Sequence, residues 1–268
     1  MADNSVGFVG SVPDYYDRDM APIIFVDYGA RLATRVAALR PQRVLETAAG
    51  TGIVTRALRD VLPAQASLTA TDLNAPMLEV AKAKFRADEA VAFEAADALN
   101  LPFADASFDV VACQFGVMFY PDKDRSYQEA HRVLAPGGRY VFNVWDSTAR
   151  ARFGFAVLEA VRRLIPVDTP PFPTVPFSYS AIDPIKDALA RAGFADLRID
   201  VLPLEKAVRD CRAFARGLVR GSPICDQAQA RGIDPERMID AVYDRLLDET
   251  KATGRIGMQA IMFEAVRG

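Results

Sequence analysis

The sequence is poor in the residues that mark several common classes of protein. Its 268 residues include one histidine and three cysteines, Cys113, Cys211 and Cys225, which share no short metal-ligand spacing. A zinc site would have too few ligands, so we expect no metal and reduced cysteines, as in a cytoplasmic protein. No apolar run is long enough to span a membrane and no charged-then-apolar leader opens the chain, so we expect no stable membrane insertion.

The sequence also lacks an excess of basic residues. Its 32 lysines and arginines are outnumbered by 35 aspartates and glutamates, which gives a formal net charge of −3. Proteins that bind the phosphate backbone of DNA or RNA normally carry a basic patch. The composition therefore argues against a nucleic-acid partner, and the length suits one large α/β domain with an appended cap.

The chain does contain a short apolar strand that runs into a glycine turn and then a helix. Within the segment 44–52, Val44 and Leu45 supply the strand, and Gly50 and Gly52 permit a tight turn that a ligand can approach. The helix that follows carries one apolar stripe at helical spacing. This order of elements predicts a nucleotide-like cofactor at the mouth of the turn.

Two common nucleotide loops fit this turn poorly. A phosphate-binding loop needs Gly-Lys-Ser/Thr after the glycines, whereas Ile53 and Val54 follow Gly52 here. A nicotinamide or flavin loop places a pyrophosphate on the helix N-terminus, and Glu46 would repel that phosphate. The description that remains is a cofactor with an adenosine, a positive charge and no phosphate, which is S-adenosylmethionine.

Two further acids stand at the ends of predicted strands. Asp72 ends the strand 67–72, about twenty positions after Gly52, where a carboxylate can accept hydrogen bonds from ribose hydroxyls. Asp97 ends the strand 92–97. Each acid alone could simply cap the next helix. Acids at the ends of successive strands, however, lie where open α/β sheets bind their ligands.

With these motifs in register, the sequence resembles the class I S-adenosylmethionine-dependent methyltransferases, and within them the type 11 and ubiquinone/menaquinone C-methyltransferase group. The resemblance covers residues 43–146 well and includes a helix end, a Pro-Gly-Gly stop and a fifth strand in 132–141. The family's glycine motif reads acid-x-Gly-x-Gly-x-Gly, and this chain has Ala48 in place of the first glycine. The extra methyl could crowd the methionine end of the cofactor if the backbone there needs a positive φ.

The resemblance also implies roles for individual residues. Met77 would lie against the adenine, Asp97 would accept from the adenine amino group, and the Ala98 N–H would reach a ring nitrogen. Tyr15 and Tyr16 match a tyrosine that folds over the cofactor, and they are the candidate catalytic residues; the alternative is surface packing of an N-terminal arm. The cofactor-binding set that the resemblance implies is Tyr16, Glu46, Ala48, Gly50, Gly52, Asp72, Leu73, Met77, Asp97, Ala98 and Gln114.

Three aromatic residues are candidates for the acceptor site. Phe115 and Phe119 follow the fourth strand at the rim of the pocket, and Phe177 lies in the predicted cap. Their rings could line an apolar pocket or equally be core. We expect the single histidine, His131, to be structural, because its helix packs away from the carboxyl ends of the strands.

The order of elements predicts an α/β, Rossmann-like fold. We expect a seven-stranded, mostly parallel sheet with its first and fourth strands side by side and an antiparallel seventh strand, preceded by a helix over 22–39 and an irregular aromatic segment. The predicted strands are 43–47, 67–72, 92–97, 108–115, 139–145, 197–204 and 258–266. The predicted parts are an N-terminal arm and helix in 1–40, a cofactor-binding core in 41–146, a cap insertion in 147–180, and the C-terminal part of the core in 181–268 with a helical insertion in 209–253.

The leading hypothesis is a cytoplasmic S-adenosylmethionine-dependent methyltransferase that acts on a small, apolar or aromatic metabolite at O, N or C. One alternative is a cofactor-binding, non-catalytic homologue, motivated by Ala48 and by the lack of an evident base. A weaker alternative is a nicotinamide oxidoreductase, which Glu46 disfavours. The expected partner is a small-molecule acceptor, and assembly as a homodimer is left open.

Overall fold

The structure, a computed structural model, describes residues 10–268. Seven strands form one sheet in the order β3-β2-β1-β4-β5-β7-β6. All neighbouring pairs are parallel except the two that involve β7, which is antiparallel to β5 and to β6. The strands are β1 Arg43–Glu46, β2 Ser67–Asp72, β3 Val91–Ala95, β4 Phe108–Gln114, β5 Leu134–Trp145, β6 Phe194–Ala207 and β7 Arg255–Arg267.

Helices cover both faces of the sheet and the edge where the parallel strands end. They are α1 Val12–Tyr15, α2 Ala21–Ile24, α3 Val26–Ala38, α4 Ile53–Val61, α5 Ala75–Lys82, α6 Lys123–Val133, α7 Arg152–Leu164, α8 Ile182–Arg191, α9 Cys211–Arg220, α10 Ile224–Gln229 and α11 Pro235–Thr250. A π-helical turn, Tyr16–Met20, joins α1 to α2, and 3₁₀ turns occur at Val117–Phe119 and Phe172–Phe177. Among residues 10–268, no helix combines the length and apolar character needed to cross a membrane.

The helices next to the glycine turn form because their apolar residues recur at helical spacing and face the sheet. On α3 the fully buried side chains include Leu32 and Val36, and on α4 they include Leu58. These residues share one core cluster with Val44 of β1 and Val110 of β4. The two helices therefore hold β1, and the turn that follows it, against the centre of the sheet.

The predicted sheet is confirmed, including the adjacent first and fourth strands and the antiparallel seventh. Because β2 and β3 extend to one side of β1 while β4 and β5 extend to the other, the topological switch point falls at the carboxyl end of β1. The side chains that end these strands therefore meet at one edge of the sheet. A ligand crevice is expected at this edge.

Several predicted boundaries were wrong. The single helix over 22–39 breaks at Phe25, which separates α2 from α3, and the segment before it is helical rather than irregular. Strand β5 begins five residues early, at Leu134, which pairs with Phe108 before the register shifts at the Pro-Gly-Gly segment. Strands β6 and β7 are longer than predicted because they pair with each other in a long antiparallel ribbon.

The predicted division into parts stays a prediction. The helical insertion contains α9, α10 and α11, and the cap insertion contains α7 and the turn Phe172–Phe177. Residues 1–9 of the predicted N-terminal arm lie outside the described residues.

Candidate functional site

A cavity lies at the carboxyl edge of the sheet, across the switch point. Residues from the ends of β1, β2 and β3 line one side of it, and residues from the ends of β4 and β5 line the other. The N-terminal segment and the cap cover it. It thus joins the two groups of residues that the sequence assigned to a cofactor and to an acceptor.

Most of the predicted site residues line this cavity. All members of the predicted cofactor-binding set do so except Glu46 and Gly52, which lie behind the lining. All three predicted acceptor residues, Phe115, Phe119 and Phe177, also contribute to the wall. Their binding roles stay predictions, but their positions meet in one space.

Asp72 connects the end of β2 to the glycine turn. Its Oδ2 accepts a hydrogen bond from the Gly50 N–H at 2.8 Å, and its Oδ1 accepts from the Asn74 N–H at 2.8 Å. Burial raises the pKa of this carboxyl, and the two backbone N–H donors oppose that rise. The Asn74 Nδ2 also donates to Oδ1, at the longer distance of 3.3 Å. A carboxylate offers about four acceptor positions, so Asp72 can hold the turn through the two backbone N–H groups and accept from both ribose hydroxyls if this long contact is displaced.

The adenine side of the predicted cofactor site is built by the loop after β3 and by α5. Asp97 Oδ1 accepts a hydrogen bond from the Leu99 N–H at 2.9 Å, which holds the loop that carries Ala98. Met77 is buried in the first turn of α5, and its Cε lies 3.6 Å from the position that a Cβ on Gly50 would take. The missing side chain at Gly50 therefore keeps the approach to Met77 open.

Gly52 has a different function in the same turn. It has φ +79°, a conformation that favours glycine, and it precedes the first residue of α4. A Cβ there would lie 2.8 Å from the Ala81 Cβ of α5. Gly52 thus permits close packing between the two helices behind the cavity.

Glu46 ends β1 and is 1 % exposed. Its Oε2 has no hydrogen-bond partner among the described residues. Burial, reinforced by the negative charge of Asp72, raises the pKa of Glu46 to about 8. A buried carboxylate oxygen without a partner is costly and calls for an external cation or donor. Together with the Asp72 carboxylate, this orphaned oxygen fits a cofactor that carries both a positive charge and a ribose.

Ala48, the departure from the glycine motif, adopts φ +53°. A non-glycine residue in this region costs on the order of 1–3 kcal/mol. Gly116 lies opposite, and a Cβ at Gly116 would be 2.5 Å from the Ala48 Cβ and 2.7 Å from the Cys113 Sγ. The methyl of Ala48 therefore occupies space that Gly116 leaves free.

This complementarity predicts coupling between Ala48 and Gly116. Gly116→Ala is expected to reduce the free energy of unfolding by about 1–3 kcal/mol through overpacking. Adding Ala48→Gly should recover part of that loss, since it removes one of the two closest contacts, and the coupling between the two changes should exceed about 0.5 kcal/mol. Denaturant unfolding of both single variants and the double variant measures this, and strictly additive effects would contradict it.

The two candidate tyrosines have different positions. Tyr16 lines the cavity, and its ring stacks on Phe25 with centroids 5.0 Å apart. Burial, with the charges of Asp72 and Asp17, raises the pKa of Tyr16 far above its usual value, so its hydroxyl remains protonated. It can donate a hydrogen bond, but it is a poor general base.

Tyr15 does not reach the cavity lining. The guanidinium carbons of Arg18 and Arg220 lie 5.0 Å and 5.8 Å from its ring centroid. This arrangement agrees with the alternative of a packing aromatic, and the catalytic role of Tyr15 stays a prediction.

The N-terminal segment is held over the cavity by contacts that the sequence did not reveal. The buried Asp19 carboxylate accepts from Arg18 Nε at 2.8 Å and from Arg216 Nε of α9 at 2.7 Å. Burial opposes ionisation, but these hydrogen bonds lower the pKa of Asp19 to about 2. A Cβ at Gly217 would lie 2.7 Å from the Asp19 carbonyl carbon, and one at Gly221 would lie 2.8 Å from the Tyr16 N. These two glycines are the sequence signal for the contact.

The other side of the cavity is strongly aromatic. The rings of Phe115 and Trp145, the only tryptophan in the chain, stack with centroids 3.9 Å apart and planes 4° apart. Some wall residues were not singled out from the sequence; they include Met20, Ile24, Phe25, Trp145, Phe153, Val157, Leu218 and Ile224.

The lining contains no histidine, lysine or arginine among the described residues. The Tyr120 hydroxyl donates to Thr47 Oγ1 at 3.4 Å, and burial raises its pKa well above the usual value. His131 packs edge-on against Phe194, away from the lining, in line with the structural role expected for it. The carboxylates in the lining, Asp72 and Asp97, lie on the side of β2 and β3, so the described wall on the aromatic side presents no histidine, lysine or carboxylate to take an acceptor proton.

Residues 45–142 match a sequence family described as a methyltransferase domain. The fold is shared with the YcgJ protein from Bacillus subtilis, at a TM-score of 0.58 and 19% identity over 90% of this chain and 98% of that chain. It is also shared with phosphoethanolamine N-methyltransferase 2 from Haemonchus contortus, solved with S-adenosylhomocysteine, at a TM-score of 0.61 and 16% identity over 97% and 61% of the two chains. At these identities the likeness shows the fold alone.

The sheet order, the glycine turn and the match over residues 45–142 all support the resemblance to the class I S-adenosylmethionine-dependent methyltransferases that the sequence indicated. Within that class it is similar to demethylmenaquinone methyltransferases. It is 37% identical to the one from Deinococcus radiodurans over 150 residues, which cover 55% of this chain and 62% of the relative. It is also 37% identical to the one from Thermus thermophilus over 127 residues, 47% and 57% of the two chains. The chain therefore spans about three fifths of the length of these relatives.

Proposed function

We propose that the protein transfers the methyl group of S-adenosylmethionine to a neutral, aromatic, largely apolar small molecule. The observation that carries this proposal is the single cavity across the switch point. Asp72 and Asp97 line it on the side of β2 and β3, and Phe115 and Trp145 line it on the side of β4 and β5. A cofactor and an acceptor that occupy these two sides would share one space.

The residues present fit the cofactor that the family uses. Asp72 would accept from the ribose hydroxyls and Asp97 from the adenine amino group. Glu46, which lies behind the lining, would ionise when the positive charge of the methionine end is bound nearby and would then offset that charge. The cofactor itself brings an activated methyl group on a sulfonium centre. The protein must then hold the acceptor in line and exclude water, and the aromatic wall and the N-terminal segment serve those two needs.

The chemistry of the wall limits the acceptor. Without a lysine or arginine in the described lining, a carboxylate or phosphate on the acceptor would be buried without a partner. Because Tyr16 and Tyr120 remain protonated and the carboxylates Asp72 and Asp97 lie on the opposite, cofactor side, we expect the acceptor to present a nucleophile that loses its proton to solvent. Hydroquinones and phenols meet both conditions, and the names of the relatives make hydroquinones the first acceptors to test.

The proposal is tested by calorimetry with S-adenosylmethionine, followed by methyl transfer to a panel of hydroquinones, phenols and amines. We expect one cofactor site and formation of S-adenosylhomocysteine with at least one hydroquinone or phenol. Binding of the cofactor with no transfer to any member would favour the non-catalytic alternative. That alternative was motivated by the lack of an evident base and by Ala48, whose methyl the structure accommodates beside Gly116. Tight binding of a nicotinamide dinucleotide instead would revive the oxidoreductase.

A wall without a base predicts a pH dependence that follows the acceptor. For two phenolic acceptors of different acidity, kcat/KM should fall about tenfold per pH unit below the pKa of each acceptor, because only the ionised form reacts. The midpoints of the two profiles should therefore differ by the difference between the two acceptor pKa values. A common midpoint for both acceptors would instead reveal a titrating group of the protein.

A further inference from the structure

Gly154 occupies the first turn of α7, directly after the wall residue Phe153. A Cβ at Gly154 would lie 2.2 Å from Phe177 Cζ and 2.4 Å from Phe177 Cε2. No pair of carbon atoms tolerates such distances without a bond. The tip of the Phe177 ring thus occupies the space that a side chain at position 154 would need.

The glycine is not required by the backbone at this position. Gly154 is absent from the residues with positive φ, and it lies within a regular helix. Glycine is one of the least favourable residues in a helix because it exposes backbone and loses the most conformational freedom. Contact with the Phe177 ring is the physical reason that the structure offers for a glycine here.

Phe177 is part of the cavity wall. It ends the 3₁₀ turn Phe172–Phe177, and its ring centroid lies 5.8 Å from that of Phe153 and 6.5 Å from that of Trp145. Phe172, Pro173 and Pro176 of the same turn also line the cavity. The distance between this turn and α7 therefore determines the position of the cap residues that line the cavity.

We propose that Gly154 is a specificity-determining residue that sets the size of the acceptor pocket. Without a side chain it lets Phe177 seat against α7, which keeps the ring out of the acceptor space. This inference rests on the proposed function, because it takes the aromatic side of the cavity to be the acceptor site. A side chain at position 154 would displace the ring and move the cap side of the wall.

The test measures binding of two aromatic probes, 2-naphthol and 4-methylphenol, by calorimetry on the full chain saturated with S-adenosylhomocysteine. Gly154→Ala should weaken binding of the larger probe, 2-naphthol, by about tenfold or more and should change the affinity for 4-methylphenol by less than about twofold. A loss of about one methylene of pocket volume produces discrimination on that scale. Gly257→Ala is the matched control. Its new methyl would meet only Arg152 Cγ of the same helix, at 3.9 Å, and should change neither affinity.

A shorter side chain at position 177 keeps the test decisive even where Gly154→Ala fails to fold. Phe177→Leu alone should increase the affinity for 2-naphthol relative to that for 4-methylphenol. The double variant with Gly154→Ala should bind 2-naphthol with an affinity within about threefold of that of the unmodified protein. Any of three results would overturn the proposal. Gly154→Ala could weaken binding of both probes equally, or Phe177→Leu could give no gain in affinity for 2-naphthol over 4-methylphenol. The double variant could also bind 2-naphthol as weakly as Gly154→Ala does.

The same measurements distinguish failure of the proposed methyl transfer from failure of the role proposed for Gly154. Probe binding requires no methyl transfer. If the variants show the expected probe affinities but the protein transfers no methyl group, the proposed activity is refuted and the role of Gly154 is not. An unmodified protein that binds S-adenosylhomocysteine but neither probe would refute the assignment of the pocket and this inference with it.

Discussion

Asp72→Ala is expected to weaken binding of S-adenosylmethionine by about 3 kcal/mol or more, roughly a hundredfold, because two hydrogen bonds to a charged acceptor are lost. The structure adds a second reason for a large effect. The N–H groups of Gly50 and Asn74 lose their acceptor in this variant, so the glycine turn itself becomes less well held. Calorimetry measures the affinity, and thermal unfolding without cofactor measures the change in the turn.

Two control variants separate these contributions. Asp72→Asn keeps one side-chain oxygen for a backbone N–H but loses the charge and an acceptor, so we expect an intermediate loss of affinity. Asp60→Ala removes a carboxylate on the exposed face of α4, where it pairs with Arg56, and should leave the affinity unchanged. Undiminished affinity in Asp72→Ala would refute the cofactor assignment at its best-defined point.

Glu46→Gln is expected to make the cofactor-free protein more stable and the complex weaker. Folding raises the pKa of Glu46 to about 8, above the roughly 4.3 of an unfolded chain. A carboxyl with a raised pKa costs nothing below the unfolded pKa, and the folded state loses stability as pH rises between the two values. Above pH 8 the cost is complete, on the order of a few kcal/mol, and the neutral glutamine avoids it.

Thermal unfolding of both proteins between pH 4 and pH 9 measures this prediction. The advantage of Glu46→Gln should be absent near pH 4, grow towards pH 8 and then level off. Affinity for S-adenosylmethionine should fall in the same variant, because the positive charge of the cofactor loses its partner. A stability difference that does not depend on pH, or unimpaired binding, would show that Glu46 has another role.

The parts of the site that the sequence revealed belong to the strands and turns near residue 46. The end of a buried strand can be read from its apolar pattern, and parallel strands end at the same edge of a sheet. The convergence of Asp72, Asp97 and Gln114 on one cavity follows from these two facts. At Ala48 the sequence named a positive φ only as the condition for crowding, and the structure has φ +53° there.

The parts that the sequence concealed depend on contacts between distant positions. Gly154 is explained by the ring of Phe177, and the closest neighbour that explains Gly116 is the methyl of Ala48. Tyr16 lines the cavity whereas Tyr15 lies against Arg18 and Arg220, and this difference also depends on contacts with a distant helix. The local pattern of apolar residues does not indicate which distant side chain occupies the space beside a glycine.

The stacked indole of Trp145 in the cavity wall is an intrinsic fluorescent probe of ligand binding. With one tryptophan in the chain, selective excitation of that ring yields emission from Trp145 alone, without background from other positions. A ligand that replaces solvent beside the Phe115–Trp145 stack changes the polarity around the fluorophore, so the colour and intensity of the emitted light follow occupancy of the aromatic half in real time. Candidate acceptors can thus be ranked with unlabelled protein before any of them is shown to be methylated.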